Sequence, residues 1–151
     1  AMILTPVLGS FLDHKGKGAT MLMLGSLIMI ACHLSFAFLL PIYPNEWFAL
    51  LIIVILGVSF SLVPAALWPS VPKIIDPVIL GSAYSLIFWI QNIGLCFVPL
   101  IIGMTLKATG GYLVPMLIFA SLGVLALILS FALKAFDKKK GFGLEEPNIK
   151  E

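Results

Sequence analysis

The sequence has little charge and no arginine. Charged residues make up 11% of its 151 residues, whereas soluble domains carry roughly 25%. With 61% hydrophobic residues, the composition excludes a water-soluble globular domain. The net charge of only +2, carried by lysines, also gives no reason to expect nucleic acid as a partner.

Cysteine is equally sparse, and its two copies form no metal-binding or disulfide pattern. Cys32 and Cys96 lie in different apolar segments without a CxxC spacing, so they are interpreted as small buried hydrophobic residues. The HExxH, GxSxG and Walker motifs are also absent from the sequence. We therefore predict no metal site, no cofactor and no enzymatic activity.

Long apolar runs are what the sequence does contain. Four charge-free runs each exceed the ~20 residues that a membrane helix needs. Backbone amides cannot stay unpaired in lipid, and no ten-residue alternation indicates barrel strands, so an all-α integral membrane protein is predicted. Its four transmembrane helices are placed at about 19–41, 46–67, 79–106 and 112–136, with proline- and glycine-containing connections.

The lysines are distributed unevenly about these spans. Four crossings place the loop 13–18, the connection 69–77 and the tail 137–151 on one side, which the positive-inside rule makes cytoplasmic. The lysines on this side are Lys15, Lys17, Lys73, Lys134, Lys138, Lys139, Lys140 and Lys150. We expect the polar tail to be solvated, and we interpret residues 1–12 as the end of a preceding transmembrane helix.

One stripe of the third predicted span combines aromatic and amide side chains. No span contains an acidic or basic residue, so no proton relay built from carboxylates is predicted. Gln91 and Asn92 must find hydrogen-bond partners, because an unpaired amide in hydrocarbon costs several kcal/mol. Tyr84 and Phe88 precede them at helical spacing. The stripe predicts either a solute-binding face or hydrogen bonds to another helix.

Three more polar side chains lie in the first two spans. Ser59 and Ser61 precede Pro64, so their hydroxyls either satisfy backbone groups freed by a proline bend or line a cavity. His33 has no second metal ligand three or four residues later. It is therefore interpreted as a hydrogen-bonded structural histidine.

The segment GSFLDHKGKG, at positions 9–18, resembles the G-x-x-x-D-[RK]-x-G-[RK]-[RK] loop of the major facilitator superfamily. The matching residues are Gly9, Asp13, Gly16 and Lys17. His14 and Gly18 stand where that family usually has a basic residue, as in the looser copy of the loop between helices 8 and 9. The resemblance implies a conformational loop in which Asp13 and the lysines form a latch that biases one access state. The alternative is an ordinary positively charged loop.

Later motifs resemble the lysosomal dipeptide-transporter branch of this superfamily. They are SLVPAALWP at 61–69, GSAY at 81–84, IQNIGL at 90–95 and GGY at 110–112. The resemblance implies that the four spans are helices 9–12 of a twelve-helix fold with a midplane cavity. It also implies that helices 10 and 11 line the cavity. The candidate cavity residues are then Gln91, Asn92, Tyr84, Phe88, Ser59 and Ser61.

The leading hypothesis is the C-terminal part of a secondary transporter that moves small polar solutes, such as dipeptides, by alternating access. Its partners are the lipid bilayer, the solute and the missing N-terminal helices of the same transporter. The alternative is a self-contained four-helix membrane subunit that acts as a scaffold or homo-oligomer. The short lysine-rich tail favours the cytoplasmic (plasma) membrane as the location.

Overall fold

The computed structural model describes residues 4–149, which form helices and no strands. The helices are α1 (Leu4–Lys15), α2 (Gly18–Leu34), α3 (Glu46–Ile74), α4 (Leu80–Thr109) and α5 (Leu113–Lys140). Helix α2 continues through a π-helical segment, Ser35–Leu39, and a last turn, Leu40–Ile42. A short 3-10 turn, Pro77–Ile79, leads into α4.

Four stretches within the described residues are long and apolar enough to cross a membrane. They are Gly18–Ile42, Glu46–Ile74, Pro77–Thr109 and Leu113–Lys140. The predicted fold class, an all-α integral membrane protein with four transmembrane helices, is therefore confirmed.

Helix α3 extends well past the predicted end at residue 67 and reaches Ile74. Pro64, Pro69 and Pro72 all lie inside it. A proline removes one N–H donor and frees the carbonyl four residues earlier, which usually bends or ends a helix. In membrane helices, neighbouring helices and side chains take over the freed groups, so the helix continues.

Helix α2 lies at the centre of the bundle and packs against both α3 and α5, while α1 packs on α3. Small residues allow the close approach. The Gly25 carbonyl accepts a 2.6 Å hydrogen bond from the Ser59 hydroxyl of α3. A Cβ atom at Gly123 of α5 would lie 2.8 Å from Cγ1 of Ile30. Such contacts are the usual basis of helix association in lipid, where the hydrophobic effect between helices is weak.

Helix α4 is packed differently from the other spans. None of its residues is buried within the described part of the chain. It packs on α5 and on the preceding 3-10 turn, and its Phe88 ring stacks on Trp68 of α3. Most of the α4 surface, including the stripe that carries Gln91, is thus open.

The predicted polar tail lies on the bundle, with most of its described residues at least partly exposed to solvent. Helix α5 runs to Lys140, and residues 141–149, here called the tail segment, fold back onto the start of α2. Leu144 is 1% exposed, and the Glu145 carboxylate accepts hydrogen bonds from Thr20. Lys73 of α3 donates to two carbonyls of the same segment. The three lysine-bearing segments predicted to share one side therefore meet at one end of the bundle, here called the lysine-rich end.

Candidate functional site

An open groove of about 400 Å³ lies between α2, α3 and α4. Its walls are mostly apolar, and Gln91 and Trp68 are the lining residues whose side chains carry a hydrogen-bonding nitrogen or oxygen. The lining residues are Met29, Phe60, Val63, Pro64, Leu67, Trp68, Ile87, Ile90 and Gln91. Mostly apolar walls with a few polar groups are typical of small-molecule sites.

Three aromatic side chains meet beside this groove, and one of them, Trp68, belongs to its lining. The Trp68 ring stacks on Phe88, with centroids 4.9 Å apart, and lies 5.8 Å from the ring of Tyr84. The Tyr84 hydroxyl donates a 3.1 Å hydrogen bond to the Trp68 carbonyl. That carbonyl has no helical donor, because the residue four positions later is Pro72. The proline thus creates an acceptor on α3 that holds α4 through a side chain.

The two adjacent amides of α4 differ in their bonding. Nδ2 of Asn92 donates a 2.7 Å hydrogen bond to the Phe88 carbonyl of its own helix. The Gln91 side chain lines the groove and makes no hydrogen bond within residues 4–149. Since a carboxamide both donates and accepts, Gln91 offers the groove an amide with all its hydrogen-bonding capacity available.

The two candidate serines lie away from the groove. Both are completely buried. The Ser59 hydroxyl bonds to Gly25 of α2, and the Ser61 hydroxyl donates a 2.9 Å hydrogen bond to the Gly57 carbonyl of its own helix. These acceptors differ from the Phe60 carbonyl that Pro64 frees, so the two hydroxyls serve bonding to other backbone carbonyls and helix packing.

His33 has a structural environment, as its spacing indicates. It is buried, its Nδ1 atom lies 2.8 Å from the Met29 carbonyl, and its ring is 5.2 Å from Phe119 of α5. The ring contact joins α2 to α5.

The residues of the conformational loop lie at the lysine-rich end, in contact with the tail segment. Gly9 and Asp13 belong to α1, which runs to Lys15, so the loop is shorter than the predicted 13–18. Oδ1 of Asp13 accepts from Asn148 at 2.6 Å rather than from helix N-terminal amides. Gly16 and Lys17 both have positive φ, 71° and 64°, and form the turn into α2.

The structure shows contacts between elements for two residues that were not among the sequence candidates, Trp68 and Glu145. Trp68 could have been found from Pro72, because a proline four residues later frees the Trp68 carbonyl. Glu145 left no local signal, since its partner Thr20 is 125 residues away in the chain.

Comparison with known proteins finds homologues of one kind. The chain is 34% identical to the lysosomal dipeptide transporter MFSD1 of Bos taurus over 131 residues, 85% of this chain and 26% of that protein. For the transporter of the same name from Danio rerio the identity is 34% over 93% of the chain, and for that from Homo sapiens it is 32% over 85%. The chain spans about a quarter of the length of these relatives. No family model and no solved structure matches it.

The four spans and the groove between them define the chain as a multi-pass helical membrane protein. The identity to the MFSD1 proteins is more specific. The chain belongs to the major facilitator superfamily and is homologous to part of those transporters. The alternative of a self-contained scaffold gains no support from these matches.

Proposed function

We propose that this chain is part of a secondary transporter for small polar solutes such as dipeptides. The groove between α2, α3 and α4 forms one wall of the transport path, and helices from elsewhere in the protein form the opposite wall. The homologues support the class of protein, because they are named as dipeptide transporters.

The observation that carries the proposal is the unpaired amide of Gln91 in an apolar groove. A peptide bond has one N–H donor and one carbonyl acceptor, and a carboxamide matches both. Leaving such a group unpaired within the membrane is costly, so a bound solute or water pairs with it. The groove lining carries no charged residue, so the charged termini of a dipeptide bind elsewhere in the protein.

Helix α4 is the mobile element in this proposal. Its contacts with α3 include the stack of Phe88 on Trp68 and the hydrogen bond of Tyr84 to a freed carbonyl. Sliding or breaking the stack of Trp68 on Phe88 widens one end of the groove without disturbing the packing of α2 against α3 and α5. Alternating access requires such a contact with two arrangements.

The test is dipeptide uptake by the complete native protein in liposomes. We expect Gln91→Ala to lower uptake about tenfold, the factor that corresponds to about 1.4 kcal/mol of lost binding, whereas Gln91→Asn retains part of the activity. The matched control is Asn92→Ala, which removes an amide already bonded within its own helix. Unchanged uptake for Gln91→Ala in correctly inserted protein would rule out this residue as a solute contact.

The lysines determine which end of the bundle we expect to face the cytoplasm. With the lysine-rich end in the cytoplasm, the aromatic group of Trp68, Tyr84 and Phe88 lies toward the cytoplasmic half of the membrane. The homologues are named for lysosomes, so the plasma-membrane location stays a prediction. Fluorescent tagging of the native protein in its own cells decides between the two membranes.

A further inference from the structure

Helix α2 begins without a cap of its own. The residue before its first turn, Lys17, has a left-handed φ of 64°, and its side chain caps nothing. The first N–H groups of any helix have no intrahelical acceptor and need partners from elsewhere. At α2 these partners come from the far end of the chain.

The tail segment supplies four acceptor atoms to this helix start, three for N–H groups and one for a hydroxyl. The N–H of Lys17 donates to the Glu145 carbonyl at 3.0 Å, and that of Gly18 donates to the Leu144 carbonyl at 2.9 Å. The N–H of Thr20 donates to Oε1 of Glu145 at 2.9 Å, while the Thr20 hydroxyl donates to Oε2 at 2.7 Å. Glu145 therefore acts as an N-cap and places a negative charge at the positive end of the helix dipole.

The same segment is fastened to the other helices that end here. Oδ1 of Asp137 in α5 accepts from the N–H of Leu144 at 3.0 Å. Lys73 in α3 donates to the carbonyls of Gly143 and Glu146 at 2.9 and 2.7 Å. The Asp13 carbonyl in α1 accepts from two N–H groups of the segment, those of Asn148 and Ile149. One short stretch of chain thus links four helices.

The tail segment passes so close to Gly16 that a side chain there would not fit. A Cβ atom there would lie 2.5 Å from the Glu145 carbonyl oxygen and 2.6 Å from the carbonyl carbon of Glu146. Gly141, with the same φ of 71°, has no heavy atom within 4 Å of such a Cβ. Both glycines have a positive φ that disfavours other residues, but only Gly16 also lacks room for a Cβ atom.

We propose that the tail segment is a releasable strap that sets the resting access state of the transporter. Docked, it holds the lysine-rich ends of α1, α2, α3 and α5 together as one unit. Its release is feasible because, apart from the buried Leu144, it is held by hydrogen bonds at the water-facing end of the bundle, where water can replace them. The link to the access state rests on the function proposed above, whereas the docking and release do not.

Hydrogen exchange of the complete native protein in lipid nanodiscs measures the docking. We expect Glu145→Ala and Thr20→Val to speed exchange in the peptides covering 16–20 and 141–149 by about fivefold or more, the range expected for a lost N-cap. The control is Glu46→Ala, which removes the same charge at the opposite end of α3 and leaves these peptides unchanged. Unchanged exchange in both strap variants would overturn the proposal.

A glycine pair tests the close passage independently. Gly16→Ala and Gly141→Ala impose the same backbone strain, so both lose some thermal stability, and this comparison controls for misfolding. Only Gly16→Ala also speeds exchange of residues 143–149. Equal exchange in the two variants would overturn the role of Gly16 as the passage for the strap.

The access state is measured in a background without Cys32 and Cys96, with a single cysteine introduced at Ile87 in the groove lining. Labelling by a membrane-impermeant maleimide from the lysine-rich side is compared with and without Glu145→Ala. We expect the labelling rate to change severalfold on strap release. Faster exchange of the tail with unchanged labelling would make the strap a purely structural cap and overturn its effect on the access state. Both readouts are independent of solute uptake, so a failure of the strap proposal can be distinguished from a failure of the proposed transport function.

Discussion

The hydrogen bond between Ser59 and Gly25 gives the sharpest test of how α2 and α3 hold together. Ser59 is completely buried, and its hydroxyl reaches the Gly25 carbonyl at 2.6 Å. The change Ser59→Ala removes this bond with little change in shape. It leaves no orphan polar group, because a helical carbonyl such as that of Gly25 normally also accepts the N–H four residues later.

The expected loss of stability follows from the position of this hydrogen bond between two buried helix faces. Interhelical hydrogen bonds in membrane proteins contribute about 0.6 kcal/mol on average and up to about 1.7 kcal/mol. The Ser59 bond is short and fully buried, so we expect its removal to cost about 1 kcal/mol. Ser61 provides the control, because it is equally buried and its hydroxyl bonds within its own helix. Bonds of that kind slightly destabilise helices, so Ser61→Ala should be neutral or mildly stabilising.

The assay is reversible unfolding of the native protein in bicelles, with the free energy of unfolding compared among wild type, Ser59→Ala and Ser61→Ala. Equal losses for the two variants would refute the reasoning, because burial alone would then explain both. Solute uptake completes the test. We expect both variants to retain uptake, and a loss of uptake at unchanged stability would return Ser59 to the list of cavity residues.

Two further pairs of substitutions probe packing and capping, with thermal stability in detergent as the common measurement. Gly123→Ala should lower the free energy of unfolding by about 1–3 kcal/mol, because the added methyl group overpacks against Ile30. Gly57→Ala should raise it by up to about 1 kcal/mol, because a Cβ atom there meets nothing within 4 Å. The opposite order of stability would contradict the packing of α2 on α5. Asn45 caps α3 by accepting from the Trp47 N–H at 2.8 Å, so Asn45→Ala should cost about 1 kcal/mol and Asn45→Ser should recover most of it. If Asn45→Ser is as unstable as Asn45→Ala, the cap does not stabilise α3.

The membrane spans could be predicted because lipid imposes a simple requirement of length and apolarity. The end of α3 could not, because prolines at 69 and 72 usually end helices in water. What sustains the helix there is tertiary. The Tyr84 hydroxyl of another helix bonds to the Trp68 carbonyl that Pro72 frees.

The candidate site was only partly accessible from the sequence. Helical spacing was enough to group Tyr84, Phe88 and Gln91 on one stripe, since neighbours on a helix face follow from periodicity. The same spacing could not distinguish Gln91 from Asn92, because the difference lies in which amide bonds back to its own helix. The order of the tail depends on partners more than a hundred residues away, such as Thr20 for Glu145, and no local pattern encodes such a pair.

The cap that Glu145 provides to α2 has a consequence for biosynthesis. The two partners are 125 residues apart, so at ~5–20 residues per second the ribosome finishes the cap roughly 6–25 s after it has made the helix start. During those seconds α2 is already available for membrane insertion with its first amides bonded only to water. The start of α2 is thus among the last parts of the bundle to mature, and a stop codon before position 145 would leave it permanently unfinished while sparing the four spans described here.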